Sequence, residues 1–325
     1  MGDPITVADG VLAGDPRAVA RGISLVENDA VAGAQLIGRL YPHTGKAYTV
    51  GVTGAPGVGK STIVDRLTTV VRRAGLTVGV IAVDPTSPFT GGAVLGDRVR
   101  MSTHAGDAGV FIRSMATRGH LGGLASATAD AIAVLDASGK DVLIVETVGV
   151  GQDEVDIVST ADVSLVVLVP GAGDDVQAMK AGIMEIADVF VVNKADREGA
   201  DHVVHTIAAS LSLKTFGPSD WRPPIVKTEA TNGVGIEMLW EEIGRFRQRP
   251  GAERDARRRA RESARLRRLL SQRLVQRVEE HSPVGEIDRL VDAVVARELD
   301  PYAAVERLVS GMLPVHDSGF KVQGS

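Results

Sequence analysis

The chain has 325 residues, of which 44% are hydrophobic, 24% charged and only 3% aromatic, a composition that fits a well-packed chain with a core of Val, Leu, Ile and Ala. A formal net charge of −5 offers no general attraction to nucleic acid or anionic lipid, and the lack of cysteine excludes disulfides and Cys-ligated zinc. No window reaches about 18 uninterrupted apolar residues, so no membrane span is expected. The opening "MGDPITVADG" lacks the basic-then-apolar pattern of a secretory signal, and its match to the loose myristoylation pattern through Thr6 is read as chance. A cytoplasmic location is expected.

Residues 1–46 read as a helical N-terminal extension. Asp15-Pro16 is an N-cap followed by proline at the first helical position, and Ala32, Leu36, Ile37 and Leu40 fall at helical spacing. From Tyr48 the rhythm changes to short apolar runs: "YTVGVTG", "TVGVIAVD", "GVFIRSM", "DVLIVETVG", "DVSLVVLVPG", "DVFVVNKAD" and "PPIVKTEA". Helix-length segments separate most of them, which predicts an α/β domain over 47–245 with a mostly parallel sheet covered by helices. Near Gly244 the composition turns arginine-rich, with an apolar stripe at Leu266, Leu269, Leu270, Leu274 and Val278. Two more helices follow, one carrying Ile287, Leu290, Val291, Val294 and Val295. The other opens at Asp300-Pro301 and carries Val305, Leu308, Val309 and Met312. Residues 246–315 therefore form a helical C-terminal arm, and 316–325 a flexible tail. Acids interspersed among the arginines, with no aromatics to stack on bases, favour a solvated arm over a nucleic-acid surface. The stripe calls for a partner, and a second copy of the chain would serve.

"GAPGVGKST" places Gly54, Ala55, Pro56, Gly57, Val58, Gly59, Lys60, Ser61 and Thr62 between a strand-like and a helix-like run. Glycines let backbone N–H groups crowd around phosphate oxygens, and the helix N-terminus adds unpaired donors. Lys60 is expected at the β- and γ-phosphates, Ser61 on Mg²⁺ and Thr62 near the α-phosphate. A merely glycine-rich turn would not need strand, lysine and helix together. "NKAD" closes the sixth run, so that the Asp196 carboxylate can accept from the two N–H groups on the guanine edge. Asn193 can serve guanine from the other side and the Lys194 stem can lie over the ring. Adenine presents no such pair of donors.

Glu229, Ala230 and Thr231, after the seventh run, sit where a backbone N–H could meet guanine O6. In "VETVGVGQ", Glu146 is placed to hold Mg²⁺ through water and Gly149 N–H to meet the γ-phosphate. Asp84 could orient the attacking water or merely cap a turn. Asp97 could join the Mg²⁺ shell or merely start a helix. The nucleotide pair expected is GTP and GDP, and the catalytic set is Lys60, Asp84 and Glu146.

The ordered set "GAPGVGKST", "VDPTSPFTGGAVLGDRVRM", "RSMATRGHLGGL", "VETVGVGQDEVDI" and "VVNKAD" resembles the MeaB/ArgK group of P-loop GTPases, which includes the methylmalonic aciduria type A protein. The resemblance covers nearly the whole chain. It implies a P-loop NTPase fold, a homodimer made by the C-terminal helices, and a slow GTPase stimulated by a B12-dependent acyl-CoA mutase. Methylmalonyl-CoA mutase is the favoured partner, with GTP use gating adenosylcobalamin delivery and protecting the mutase. It also marks Asp174, Asp175, Gln177 and Lys180 as switch residues, each set against a solvated loop-to-helix junction. Two departures stand out. The family has Ser-Ala where this chain has Glu229-Ala230, and Glu146 stands where most G proteins have Asp. Gln152 is displaced from the water-positioning place of Ras-like proteins, and Arg118 is read as a structural ion pair ahead of a γ-phosphate contact. A nickel-insertion GTPase is the first alternative, but that chemistry favours Cys and His clusters, and only His202 and His205 of the seven histidines are close. A kinase tied to amino-acid transport is the second, without a visible acceptor motif. A non-catalytic scaffold is argued against by the intact Lys60, Ser61 and Glu146.

Overall fold

Each of the seven apolar runs becomes a strand: β1 Tyr48–Thr53, β2 Val78–Asp84, β3 Val110–Ala116, β4 Val142–Glu146, β5 Val163–Leu168, β6 Val189–Asn193 and β7 Ile225–Thr228. The computed structural model describes residues 3–84, 102–104, 106–116, 123–147, 160–171, 183–217 and 220–310. All pairings are parallel and the order is β3-β2-β4-β1-β5-β6-β7. Strands β1, β4, β5 and β6 are buried at every position, which explains why they read as unbroken apolar runs instead of alternating ones. Parallel pairing brings the C-terminal ends of the strands to one edge, with Val52 opposite Glu146 and Asn193 opposite Thr228. Strand β1 lies between β4 and β5, so the chain moves to one side of it, returns, and then builds the other side. A crevice forms outside the carboxyl end of a strand at such a reversal.

Ten helices of the described residues surround or follow this sheet, numbered here without the single turn Ile183–Ile186: α1 Pro4–Leu12, α2 Pro16–Asn28, α3 Ala30–Leu40, α4 Lys60–Arg73, α5 Gly123–Ala137, α6 Ala200–Ser212, α7 Ile236–Arg247, α8 Gly251–His281, α9 Glu286–Val295 and α10 Pro301–Ser310. The Asp-Pro signals work as their chemistry requires. Asp15 accepts from Arg17 N at 2.9 Å, and Asp300 accepts from Tyr302 N and Ala303 N at 3.0 Å each. Asp29 does the same for α3 through Val31 N and Ala32 N.

One side of the sheet packs Val50, Val52, Ile144, Leu165 and Val191 against Ile63, Leu67 and Val71 of α4 and Ile236, Leu239 and Ile243 of α7. Elsewhere Ile81, Val83, Leu143 and Val145 meet Val134 and Leu135 of α5, and the same cluster contains Val11, Ile23, Leu36 and Leu40 of α1–α3. The N-terminal helices are thus a wall of the core. A third cluster joins Val166, Phe190 and Val192 to Ile207 and Leu211 of α6. Between α3 and β1, the Asp136 carboxylate accepts from three consecutive backbone N–H groups, those of Gly45, Lys46 and Ala47.

The chain forms two compact units, Met1–Arg261 and Glu262–Ser325. In the first, the opening turns of α8 are held at the N-terminal edge of the sheet. Arg257 meets Asp188 at 2.8 Å, and Arg261 meets Asp162 at 2.5 Å and Ala161 O at 2.8 Å. In the second, Leu290 of α9 and Ala304 of α10 are buried, while Leu266, Leu269, Leu270 and Leu274 of α8 are exposed. No described helix is long and apolar enough to cross a membrane.

Candidate functional site

The site begins where β1 ends. Gly54 has φ +146, and a Cβ there would lie 2.3 Å from Val167 O of the neighbouring strand, so only glycine lets the chain leave the sheet at this point. The loop then closes on α4 through Gly59, φ +96, where a Cβ would meet Asn193 Nδ2 at 2.4 Å. Helix α4 has no side-chain cap and no acid in its first turn. The positive end of its dipole, with no acid of its own helix to offset it, favours an anionic ligand at this turn.

Lys60 and Ser61 are both buried in that first turn. Lys60 Nζ donates to Gly54 O at 2.7 Å and Ala55 O at 3.1 Å, so its ammonium lies over the loop. Ser61 Oγ donates to Glu146 Oε1 at 2.7 Å. This pair joins the helix to the end of β4, and it is a set of hard oxygen donors of the kind Mg²⁺ takes. Thr147 follows Glu146 and ties the same edge together, its hydroxyl donating to Thr53 Oγ1 at 3.1 Å. Thr62 is half-buried, and Pro56 and Gly57 are exposed on the loop's outer side.

The "NKAD" residues stand at the end of β6. Asn193 is 3% exposed and bonded through both ends of its amide: Nδ2 donates to Val58 O at 2.8 Å, and Oδ1 accepts from Thr228 Oγ1 at 3.0 Å and Ala230 N at 3.1 Å. One amide therefore holds the phosphate loop and the 229–231 loop in a common frame. Lys194 has φ +55, uncommon for a residue with a Cβ, and its Nζ donates to Gly57 O at 2.7 Å. Asp196 is exposed in the turn beyond. In the 229–231 loop the Glu229 N–H donates to Val234 O at 3.0 Å, and the Ala230 N–H serves Asn193. Both amides proposed from sequence for guanine O6 at these two positions thus have partners inside the protein, Glu229 through an antiparallel bridge to Val234 and Ala230 through the side chain of Asn193. Thr231 is exposed at its tip.

Asp84 closes β2, and its side chain lies outside the described residues. Asp97, Arg118, Gly149, Gln152, Asp174, Asp175, Gln177 and Lys180 also lie outside them. His202 and His205 are exposed on α6. Two side chains that sequence reasoning missed also build the site. Thr228 orients Asn193, and Arg66 of α4 reaches the 229–231 loop through Ala230 O at 3.2 Å and Thr231 O at 2.7 Å. Neither sits in a recognisable pattern; the only local hint for Arg66 is a basic residue in the middle of the helix that follows the lysine.

The family model described as Methylmalonyl Co-A mutase-associated GTPase MeaB matches residues 19–283. The chain belongs to the MeaB family of P-loop GTPases. A protein of Pyrococcus abyssi, named as a candidate GTPase, is 52% identical over 305 residues, covering 92% of this chain and 94% of that protein. The mouse protein named methylmalonic aciduria type A homolog, mitochondrial, is 30% identical over 275 residues, 83% of this chain and 66% of its own length. Among solved structures, that of a LAO/AO transport system kinase superposes with a TM-score of 0.71 at 25% identity, covering 94% of this chain and 96% of that one. Like other members of the MeaB family, the chain is a GTP-hydrolysing enzyme that binds GTP and GDP.

Proposed function

We propose that this MeaB-family GTPase assists and protects a B12-dependent acyl-CoA mutase, methylmalonyl-CoA mutase in the first place, and that its GTP cycle gates adenosylcobalamin loading. The observation that carries the reading is the match of a mutase-associated GTPase family to residues 19–283, around a phosphate loop and a base loop braced by one asparagine. In this reading the loop N–H groups and Lys60 bind the triphosphate, with Lys60 leaving its own loop carbonyls for phosphate oxygens. Ser61 and Glu146 would hold Mg²⁺, which would supply charge neutralisation for the phosphoryl transfer. Asp196 selects guanine, Lys194 covers the base, and Gly149 N–H senses the γ-phosphate. Asp84 orients the attacking water and Asp97 joins the metal shell.

The protein acts as a cytoplasmic homodimer through the exposed leucine stripe of α8 and the helices after it. Most of a G domain's phosphoryl-transfer machinery acts by positioning and charge, so a partner that completes the site raises turnover without new chemistry.

The deciding experiment is GTP hydrolysis with and without purified B12 mutases. Stimulation by methylmalonyl-CoA mutase, at a stoichiometry matching a complex seen by gel filtration, is expected. An unchanged rate with every such mutase would remove the assignment. The superposition on a protein named as a transport system kinase keeps a kinase reading in view. Labelled γ-phosphate appearing on a protein, instead of as free phosphate, would favour it.

A further inference from the structure

Arg66 lies on the exposed side of α4, five residues beyond Ser61, and spans to the loop between β7 and α7. Its Nε donates to Ala230 O at 3.2 Å and its Nη2 to Thr231 O at 2.7 Å. Two N–H groups of a planar guanidinium on two successive carbonyls form a fixed fork, and each bond is strengthened by the charge.

The consequence follows from peptide planarity. A trans peptide is a rigid plate, so a carbonyl held in place also fixes the direction of the next residue's N–H. Through Ala230 O, Arg66 sets the Thr231 N–H, and through Thr231 O it sets the Asn232 N–H, which donates to Glu229 O at 3.0 Å. The Gly233 N–H donates to Ala230 O at 3.2 Å, so this carbonyl is also a pivot of the loop's own turn. On the inner side the loop is gripped by Asn193 through the Ala230 N–H. Asn193 anchors it to β6, and Arg66 anchors it to the helix that opens at the phosphate loop.

We propose that Arg66 is a positioning residue for guanine selectivity, holding the 229–232 backbone in the register in which the Thr231 N–H meets guanine O6. This rests on the reading of the adjoining "NKAD" turn as a guanine site. Arg66 touches neither base nor phosphate in this role; it acts through the two peptides it holds.

The test compares full-length wild type, Arg66→Ala and Arg66→Lys for binding of GDP and of 2-aminopurine ribonucleoside diphosphate, which keeps the 2-amino group but lacks O6 and with it the N1–H, the second loss being common to all three proteins. Arg66→Ala is expected to lose about tenfold in GDP affinity, the equivalent of one hydrogen bond with its partner left unpaired, and under about twofold for the 2-aminopurine nucleotide. The ratio of the two affinities then collapses. Arg66→Lys keeps the charge without the fork and is expected to fall between. An unchanged ratio in Arg66→Ala, whether both affinities drop together or neither does, would overturn the proposal, since a merely stabilising role lowers both alike. Should Arg66→Ala not fold, the same ratio in Arg66→Lys and Arg66→Gln decides the matter. A wild type that binds ADP as tightly as GDP would instead sink the guanine reading, and the role of Arg66 with it.

Discussion

Replacing Asn193 with Ala removes three hydrogen bonds at once, to Val58 O, Thr228 Oγ1 and Ala230 N, from a side chain that is 3% exposed. Each partner left buried without a bond costs roughly 1–3 kcal/mol. Thr228 is fully buried and Ala230 nearly so, whereas the loop tip at Thr231 is open, so water can satisfy only part of the loss. A total of about 3–5 kcal/mol follows, a large share of the ~5–15 kcal/mol that holds a typical domain together. The assay is urea unfolding of nucleotide-free wild type and Asn193→Ala by far-UV circular dichroism, with amide exchange read at the 54–60 and 228–235 segments. Both loops should exchange faster in the variant and the unfolding midpoint should fall, before any nucleotide is added. A variant with the wild-type midpoint and unchanged exchange, but with GDP affinity lost, would refute the reasoning: Asn193 would then act on the base and not on the frame.

Other expectations can be checked as directly. Asp196→Asn should prefer xanthine over guanine nucleotides in competition binding, because the amide presents a donor where the carboxylate accepted; a retained guanine preference would remove Asp196 from the base site. The bidentate ion pair with Arg72, at 2.8 and 2.9 Å, and the Gly109 N–H hold the Asp107 carboxyl down at about 2. An acid with a depressed folded-state value contributes stability above its ordinary range of about 4 and loses it as pH falls toward 2. The gap in urea midpoint between wild type and Asp107→Asn should therefore be constant from pH 7 to 5 and shrink below about pH 4; a gap that widens on acidification would contradict the pairing. The double variant Leu270→Asp, Leu274→Asp, at two exposed stripe positions, should convert a dimer to a monomer in light scattering while leaving the G domain folded. A mass that does not change would move the dimer contact elsewhere.

The fold was legible in the sequence to the extent that its signals are local. Strands buried on both faces announce themselves as unbroken Val, Ile and Leu runs, and each of the seven quoted runs contains a strand. Aspartate followed by proline marks the start of α2 and α10 because both cap and proline act within one turn. The strand order was not legible, since it depends on which apolar faces meet across the chain. The site divides the same way. The glycines and Lys60 sit within one loop and can be read from it. The Asn193 bond to Val58 spans 135 residues and the Arg66 bond to Ala230 spans 164, and nothing near either end announces its partner. Asn193 illustrates the limit well: its tetrapeptide pointed to the base, while the fold gives its amide to the backbone of two loops.

The place of α1–α3 bears on how a protein of this kind can be taken apart. Val11, Ile23, Leu36 and Leu40 seal Ile81, Leu135 and Leu143 from water, and each such side chain, once stripped of cover, forfeits roughly 1.5–3 kcal/mol. A fragment trimmed to begin at the first strand would therefore be a roofless house, greasy along one flank and prone to clump. Anyone seeking a minimal nucleotide-binding piece would do better to cut behind the sheet than in front of it.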